Sequence, residues 1–212
     1  MRNIPVFTTE FGVASLILKE IPYKGTAYVR LQSSLYPEKL LAECVGFCRA
    51  AGADVIYATG DIYLEKFPLH TKILRMEINK QALPKTEAVA CPVIPEEADR
   101  WRKLYNRAMT GVDNASYMDD LDVKQMLRQE DGYFVSMKGT QIGIGRADGD
   151  QIFVVAALVP GGGRDTVLAL ADKLSSERIK LEVASTNHRA IRLYERLGFA
   201  QTEDLSCWYK IL

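Results

Sequence analysis

The 212-residue chain is 48% hydrophobic, which is enough apolar material to build a core in one large domain or two small ones. Lysine plus arginine and aspartate plus glutamate both number 27, so no net charge attracts nucleic acid or an anionic membrane. No apolar stretch approaches the roughly 20 residues that span a bilayer, and the start MRNIPVFTTE lacks the apolar region of a signal peptide. We therefore expect a cytoplasmic protein with reduced thiols that binds neither nucleic acid nor membrane.

In the first half of the chain, β-forming residues flank Pro and Gly around 23–25, which predicts a hairpin that starts at Gly12. A helical pattern follows from Pro37 to a stop at Gly52. The stretches 54–59 and 70–78 then predict two further strands.

The four cysteines do not predict a metal site, because their spacing lacks the close pairs of a zinc site and the chain has only two histidines. Cys44 and Cys48 lie four residues apart on one face of the predicted helix, where small apolar packing explains them. We expect no bound metal.

The stretch 80–95 is rich in proline and has little periodicity, which is typical of a connection between two units. We place the boundary near residue 90. The predicted domains are therefore residues 1–90 and residues 91–212.

The second half predicts a longer series of elements. In chain order these are helices around 101–108 and 121–127, strands 133–138, 141–147 and 151–159, a helix from Arg164, a strand 180–184, a helix closed by Gly198 and a last strand around 207–212. The helix between strands 151–159 and 180–184 has the length of a crossover between parallel neighbours. The predicted fold class is α/β, or α+β, with a mixed and mostly antiparallel sheet flanked by helices.

The two halves of the sequence share a weakly similar order of predicted elements. Each runs from a hairpin through a crossover helix to a strand, then through an aromatic and acidic segment (Tyr63 to Lys66, and Tyr194 to Arg196) to another strand. This pattern favours a degenerate tandem repeat.

The segment 181–199 has a specific signature. Leu181-Glu182-Val183 is followed by Asn187, Ala190, Tyr194-Glu195 and Gly198-Phe199, and this series resembles the end of GNAT acetyltransferases. The order of elements over 96–212 is also similar to that superfamily. The resemblance implies a GNAT-like acyl-CoA N-acyltransferase fold, which is tandem if the two halves are a repeat. It also implies acetyl-CoA as co-substrate and a small-molecule or peptide amine as acceptor.

Two residues of this signature have both a structural and a functional interpretation. Tyr194 shares a helix face with apolar residues and could simply pack in the core, whereas the resemblance implies a general acid that protonates the departing thiolate. Asn187 could cap the final helix or contact the cofactor, and the resemblance places Ala190 at the cofactor as well.

The resemblance also implies a pyrophosphate loop before the helix at Arg164, where free N–H groups and the helix dipole would face the phosphates. Three interpretations stay open for this loop: a modified phosphate cradle, a flexible connection, or a relic that no longer binds. The residues of the candidate cradle are Gly161, Gly162, Gly163, Arg164, Asp165 and Thr166. In the cradle the Thr166 hydroxyl adds a donor, and Asp165 either opposes the phosphate charge or caps the helix.

By the same resemblance, the backbone of Leu158 and Val159 would face the cofactor arm, and an N–H there would stabilise the oxyanion. Glu182 is a candidate general base, with a salt-bridged strand glutamate as the alternative. The leading function is acetyl transfer from acetyl-CoA to a primary amine. The alternatives are an inactive GNAT-fold module that binds acyl-CoA or a protein partner, and a structural tandem whose first half forms a homodimer.

Overall fold

The computed structural model describes residues 5–113 and 115–212, which pack as two compact units. Unit 1 comprises the residues up to 73 together with 204–212, and unit 2 comprises residues 74–203. No helix in the described ranges is long and apolar enough to cross a membrane. The domain boundary near residue 90 stays a prediction.

Unit 1 is a mixed sheet with a helix on one face. Its elements are β1 (Val6–Thr9), β2 (Gly12–Ile17), α1 (Ile21–Lys24), β3 (Thr26–Ser34), α2 (Pro37–Ala50), β4 (Val55–Thr59), a 3-10 turn (Ile62–Lys66) and parts of β5 (Leu69–Asn79) and β11 (Ala200–Lys210). The strand order includes β1-β2-β3-β4-β11. Strands β3 and β4 are parallel, and the other described pairs in this order are antiparallel.

The predicted hairpin and helix of the first half are present. Strands β2 and β3 pair as an antiparallel hairpin, and the short helix α1 forms its turn and ends at Gly25, which has a φ of 62°. Helix α2 packs on β2 and β3 and buries the predicted face with Leu40, Leu41, Cys44 and Cys48. The two cysteines are therefore core residues, as the helical spacing predicted.

Unit 2 has a larger mixed sheet with helices on both faces. Its elements are β6 (Val89–Pro92), α3 (Ala98–Ala108), α4 (Asp120–Gln129), β7 (Gly132–Met137), β8 (Thr140–Asp148), β9 (Gln151–Ala157), α5 (Gly163–Lys173), β10 (Arg178–Ala184) and α6 (His188–Leu197), with the remaining parts of β5 and β11. The order β10-β9-β8-β7-β6 is antiparallel except for the β9 and β10 pair, which is parallel as the crossover predicted.

Strands β1 and β6 are not among the elements that the sequence predicts. Strand β6 lies at the end of the unit 2 strand order. Its four residues lie inside the proline-rich stretch that we interpreted as a connection, and they pair with β7 from Val89 opposite Ser136 to Pro92 opposite Tyr133. A four-residue strand at the end of the strand order has too little internal pattern to be recognised. These residues form a strand because they pair with β7.

The two faces of the unit 2 sheet are covered differently. On one face α5 packs against β8 and β9 over two glycines of β8, Gly143 and Gly145. A Cβ at Gly143 would lie 2.7 Å from Thr166 Cγ2, so α5 approaches the sheet this closely only over glycine. On the other face α3 packs against β8 and β9 and buries Trp101.

Candidate active site

The parallel strands β9 and β10 separate soon after they meet. The described register pairs Lys180 with Gln151 and Leu181 with Ile152. Beyond these pairs β9 continues to Ala157 and β10 to Ala184. The carboxyl ends of the two strands therefore leave a gap between them.

A cleft of about 830 Å³ lies at the carboxyl end of β9 within unit 2, and α6, the helix that follows β10, forms its other side. Its walls come from the end of α3 and the following loop, from the end of β9, from the start of α5 and from the length of α6. The lining residues are Ala108, Met109, Val112, Val155 to Gly161, Gly163, Arg164, Asn187, Arg189, Ala190, Leu193, Tyr194, Arg196 and Leu197.

The start of α5 at this cleft has no side-chain cap. Its N-cap residue is Gly162, and a Cβ there would lie 2.7 Å from the Ile142 carbonyl oxygen. The Gly162 N–H donates to the Val159 carbonyl at 3.1 Å, and Gly161 has a φ of 81°. Because the first N–H groups of a helix have no intrahelical acceptor, those of residues 163–165 are available to an anion.

The side chains that follow Gly163 have different positions. Arg164 lines the cleft and its Nη1 lies 3.0 Å from Asp165 Oδ1. Asp165 also accepts a hydrogen bond from Thr86 Oγ1 at 2.8 Å, and it is absent from the cleft lining. Thr166 is fully buried and its hydroxyl donates to the Gly162 carbonyl at 2.7 Å. The structure therefore does not bring the Thr166 hydroxyl or the Asp165 carboxylate into the cleft.

Leu158 and Val159 both line the cleft, but their N–H groups differ. The Leu158 N–H donates to the Ile142 carbonyl of β8 at 2.9 Å. The Val159 N–H donates to no acceptor in the described part of the chain. Both residues lie just beyond the end of β9, where the two strands have separated, so the Val159 N–H is free for a ligand in the cleft.

Tyr194 lies on α6 at the inner end of the cleft. Its side chain is 7% exposed and packs at 5.9 Å, ring centre to ring centre, from Phe199. Burial raises the pKa of Tyr194 to about 12, so the phenol is neutral at physiological pH. Its hydroxyl makes no hydrogen bond to any residue that the structure describes. The residue is both a core side chain and a wall of the cleft.

Asn187 occupies the N-cap of α6. Its Oδ1 accepts a hydrogen bond from the Ala190 N–H at 3.2 Å, which is the capping interaction that the sequence allowed. Both Asn187 and Ala190 also line the cleft. The structural and the cofactor-contact interpretations of Asn187 are therefore compatible.

Glu182 is not part of the cleft. Its Oε1 lies 3.6 Å from Nη2 of Arg75, and its side chain is 40% exposed on the strand face opposite Leu181 and Val183. The salt-bridged alternative describes this glutamate. No carboxylate belongs to the cleft lining among the described residues.

The cleft also contains residues that the sequence did not identify. Arg189 and Arg196 of α6 add positive charge, and Met109 and Val112 form an apolar wall. The excess of arginine on α6 was visible in the sequence, but the wall comes from a loop about 80 residues earlier in the chain.

Comparison with known proteins supports the fold. Residues 164–199 match the model of the acetyltransferase (GNAT) family. No curated protein matches the chain by sequence.

Solved structures with the same fold extend the likeness over nearly the whole chain. A GCN5-related N-acetyltransferase from Sphaerobacter thermophilus is 12% identical, with a TM-score of 0.59 over 93% of this chain and 75% of that chain. A GNAT-family acetyltransferase from Colwellia psychrerythraea is 11% identical, with a TM-score of 0.52 over 97% and 84% of the two chains. A tandem GNAT protein from the clavulanic acid biosynthesis pathway is 13% identical, with a TM-score of 0.54 over 94% and 78%.

The resemblance that the segment 181–199 suggested is thereby confirmed. The chain has the GNAT acetyltransferase fold, and its residues 164–199 carry the sequence pattern of that family.

Proposed function

We propose that unit 2 is an N-acyltransferase that transfers an acetyl group from acetyl-CoA to a primary amine. The observation that carries this proposal is the gap between β9 and β10. The N-terminus of α5, which has no side-chain cap, lies on one side of this gap, and the neutral, buried phenol of Tyr194 lies on the other. Phosphate recognition and proton donation thus meet in one cleft.

The start of α5 fits the pyrophosphate of CoA. A helix N-terminus with free N–H groups favours an anion, and the Gly161 to Gly163 backbone permits close approach because it has no side chains. Arg164 and Arg189 line the same end of the cleft and add positive charge. These contacts support the modified-cradle interpretation of the loop.

The chemistry that follows is direct attack by the neutral amine on the thioester carbonyl. The C–N bond forms, the C–S bond breaks, and the sulfur leaves with the electron pair. The Val159 N–H, which has no acceptor among the described residues, donates to the carbonyl oxygen while that oxygen gains negative charge. Tyr194 donates its proton to the departing sulfur.

The high pKa of Tyr194 suits this role. A phenol of pKa about 12 would be a poor acid toward a thiolate in water. In the cleft, however, the thiolate is also removed from water, and desolvation raises the pKa of a thiol as it raises that of a phenol. The proton transfer is therefore better balanced inside the cleft than in solution.

The acceptor amine releases its proton through a water relay to the solvent, and a proton returns from the solvent to the Tyr194 phenolate, so the reaction has no net proton change. No lining carboxylate of the described residues could receive it, and Glu182 is held at Arg75. We therefore do not assign a protein general base.

Unit 1 contains the same order of strand, helix and parallel strand in β3, α2 and β4, but it lacks the gap. Strands β3 and β4 pair at five successive positions, from Thr26 opposite Val55 to Arg30 opposite Thr59. Beyond them the Ser34 hydroxyl donates to the Asp61 carboxylate. A closed strand pair has no room for the cofactor arm, so we propose one cofactor site per chain.

The experiment is kinetic and uses the whole chain. Tyr194→Phe should lower kcat by about 10²-fold or more, because it removes the acid but keeps the packing. The affinity for acetyl-CoA, measured by calorimetry, should change less than about threefold. Release of free thiol is followed with a panel of a polyamine, an amino sugar and a short peptide.

Tyr133→Phe is the matched control, because Tyr133 is a partly buried tyrosine of unit 2 that does not line the cleft. Its kinetics should equal those of the wild type. Absence of acetyl-CoA binding at millimolar ligand would overturn the proposed function. Binding without thiol release for any amine would favour the inactive module instead.

A further inference from the structure

The two ends of the cleft differ in chemistry. The end at the starts of α5 and α6 carries Arg164, Arg189 and Asn187. The opposite end is formed by Ala108, Met109, Val112, Ala156 and Leu158, which we call the apolar wall. Every side chain of the wall is aliphatic or a thioether, so the wall offers a polar group no side-chain donor and only the weak acceptor of the Met109 sulfur.

The apolar wall belongs to the face of the sheet that α3 covers. Ala156 is 6% exposed and shares a core cluster with Trp101 and Tyr105, and Ala108, Met109 and Leu158 pack against that cluster. Successive side chains of β9 alternate between faces, so Ala156 and Leu158 point away from α5. The wall is therefore on the far side of β9 from the candidate phosphate site.

Hydrogen bonds hold both ends of the loop that carries Met109 and Val112. The Asn106 side chain donates to the Met118 carbonyl at 3.0 Å and accepts from the Met118 N–H at 2.8 Å. The Tyr105 hydroxyl donates to the Ser116 carbonyl at 2.9 Å, and the Met109 N–H donates to the Tyr105 carbonyl at 2.9 Å. A preformed apolar surface loses little entropy when it binds an apolar group.

We propose that the apolar wall receives the acyl chain of the donor, and that Met109 and Val112 make the cleft favour propionyl-CoA and butyryl-CoA over acetyl-CoA. This inference rests on the proposed function, because the thioester must lie between Val159 and Tyr194. A chain that continues from that carbonyl away from the phosphate end meets the wall. A chain of two carbons leaves the wall unburied, whereas each further methylene covers apolar surface.

Calorimetric titration of the wild-type chain with acetyl-, propionyl- and butyryl-CoA, without any amine, tests the inference. Burial of one methylene corresponds to about a fourfold gain in affinity. We therefore expect butyryl-CoA to bind about tenfold or more tightly than acetyl-CoA. Equal affinities, or affinities that fall with chain length, would overturn the inference and would assign the wall to the acceptor.

Two variants locate the effect. Val112→Thr keeps the shape of the side chain and adds a hydroxyl, and Met109→Ser removes the thioether. Each variant should reduce the gain in affinity per methylene to about twofold or less. In Met109→Ser the acyl chain covers less apolar surface, and in Val112→Thr it covers a hydroxyl group. The affinity of each variant for acetyl-CoA is the reference against which its gain per methylene is measured.

Met137→Ser is the control, because Met137 is a partly buried methionine outside the cleft lining. It should keep the wild-type dependence on chain length. If Val112→Thr and Met109→Ser also keep it, the wall does not select the acyl group and the inference is wrong. Failure of acetyl-CoA itself to bind would instead contradict the proposed function, so the two failures are distinguishable.

Discussion

Gly143→Ala should disturb the candidate phosphate site although residue 143 does not line it. An added Cβ would overlap Thr166 Oγ1, lie 2.7 Å from Thr166 Cγ2 and lie 3.0 Å from the Ala156 carbonyl oxygen. Thr166 is bonded to the Gly162 carbonyl in the first turn of α5. To accept the methyl group, the start of α5 must move away from β8, and the N–H groups at the cleft move with it.

Two magnitudes follow from these contacts. Forcing one methyl group into a packed core costs about 1–3 kcal/mol of unfolding free energy. Thr166→Ala alone should cost about 1 kcal/mol, because its hydroxyl loses one hydrogen bond. The double variant Gly143→Ala with Thr166→Ala removes the clashing atoms, so it should be more stable than the sum of the single changes by about 1 kcal/mol or more.

The assay combines urea unfolding with calorimetric titration of acetyl-CoA. Gly143→Ala should weaken acetyl-CoA about tenfold, which corresponds to about 1.4 kcal/mol of binding free energy. Gly46→Ala is the control, because a Cβ on that helical glycine of unit 1 meets nothing within 4 Å. Wild-type affinity in Gly143→Ala, or additive unfolding free energies in the double variant, would refute the link between β8 and the phosphate site.

Further predictions concern the cores of the two units. Burial raises the pKa of Cys44 to about 12 and of Cys48 to about 11, so a thiol reagent at pH 8 should label exposed Cys91 in the native chain and these two only after denaturation. Below pH 9.0, the ordinary thiol pKa, both thiols are protonated in the folded and the unfolded chain, and the free energy of unfolding has its full value. As the pH rises toward 11 and 12 the unfolded chain loses these protons first, so the free energy of unfolding should fall. Rapid native labelling of either thiol, detected by mass spectrometry, would contradict the burial. Asp131→Ala should cost about 3–5 kcal/mol in urea unfolding, because it strands Arg146, whose Nε and Nη2 donate to the carboxylate at 3.0 and 2.5 Å. The double variant with Arg146→Met should recover most of the lost free energy of unfolding. If it does not, the loss is not caused by a buried guanidinium without its carboxylate.

The sequence predicted elements whose signals are local. Asn187 and Gly198 bracket α6 because a polar cap and a left-handed glycine act within one helical turn. The general-acid role of Tyr194 is predicted from the same short segment, which is also where the family pattern lies, and it stays a prediction. These features depend on residues only a few positions apart.

Long-range features could not be predicted. The gap depends on β9 and β10 losing their pairing beyond Leu181, and no residue near that position marks the loss. The burial of Thr166 depends on a glycine 23 positions earlier, Gly143, so the hydroxyl that looked like a phosphate donor is committed to Gly162. Strand β6 likewise exists through its partner β7.

The central claim is that one cofactor site per chain lies in the gap of unit 2. Calorimetric titration with acetyl-CoA of the wild type and of Ala190→Trp, which fills the cleft from α6, tests it most directly. Ala200→Trp, at an exposed alanine of the same unit outside the cleft lining, is the control. We expect one molecule bound per chain in the wild type and the control, and no measurable binding in Ala190→Trp. Two molecules per chain, or wild-type affinity in Ala190→Trp, would contradict it.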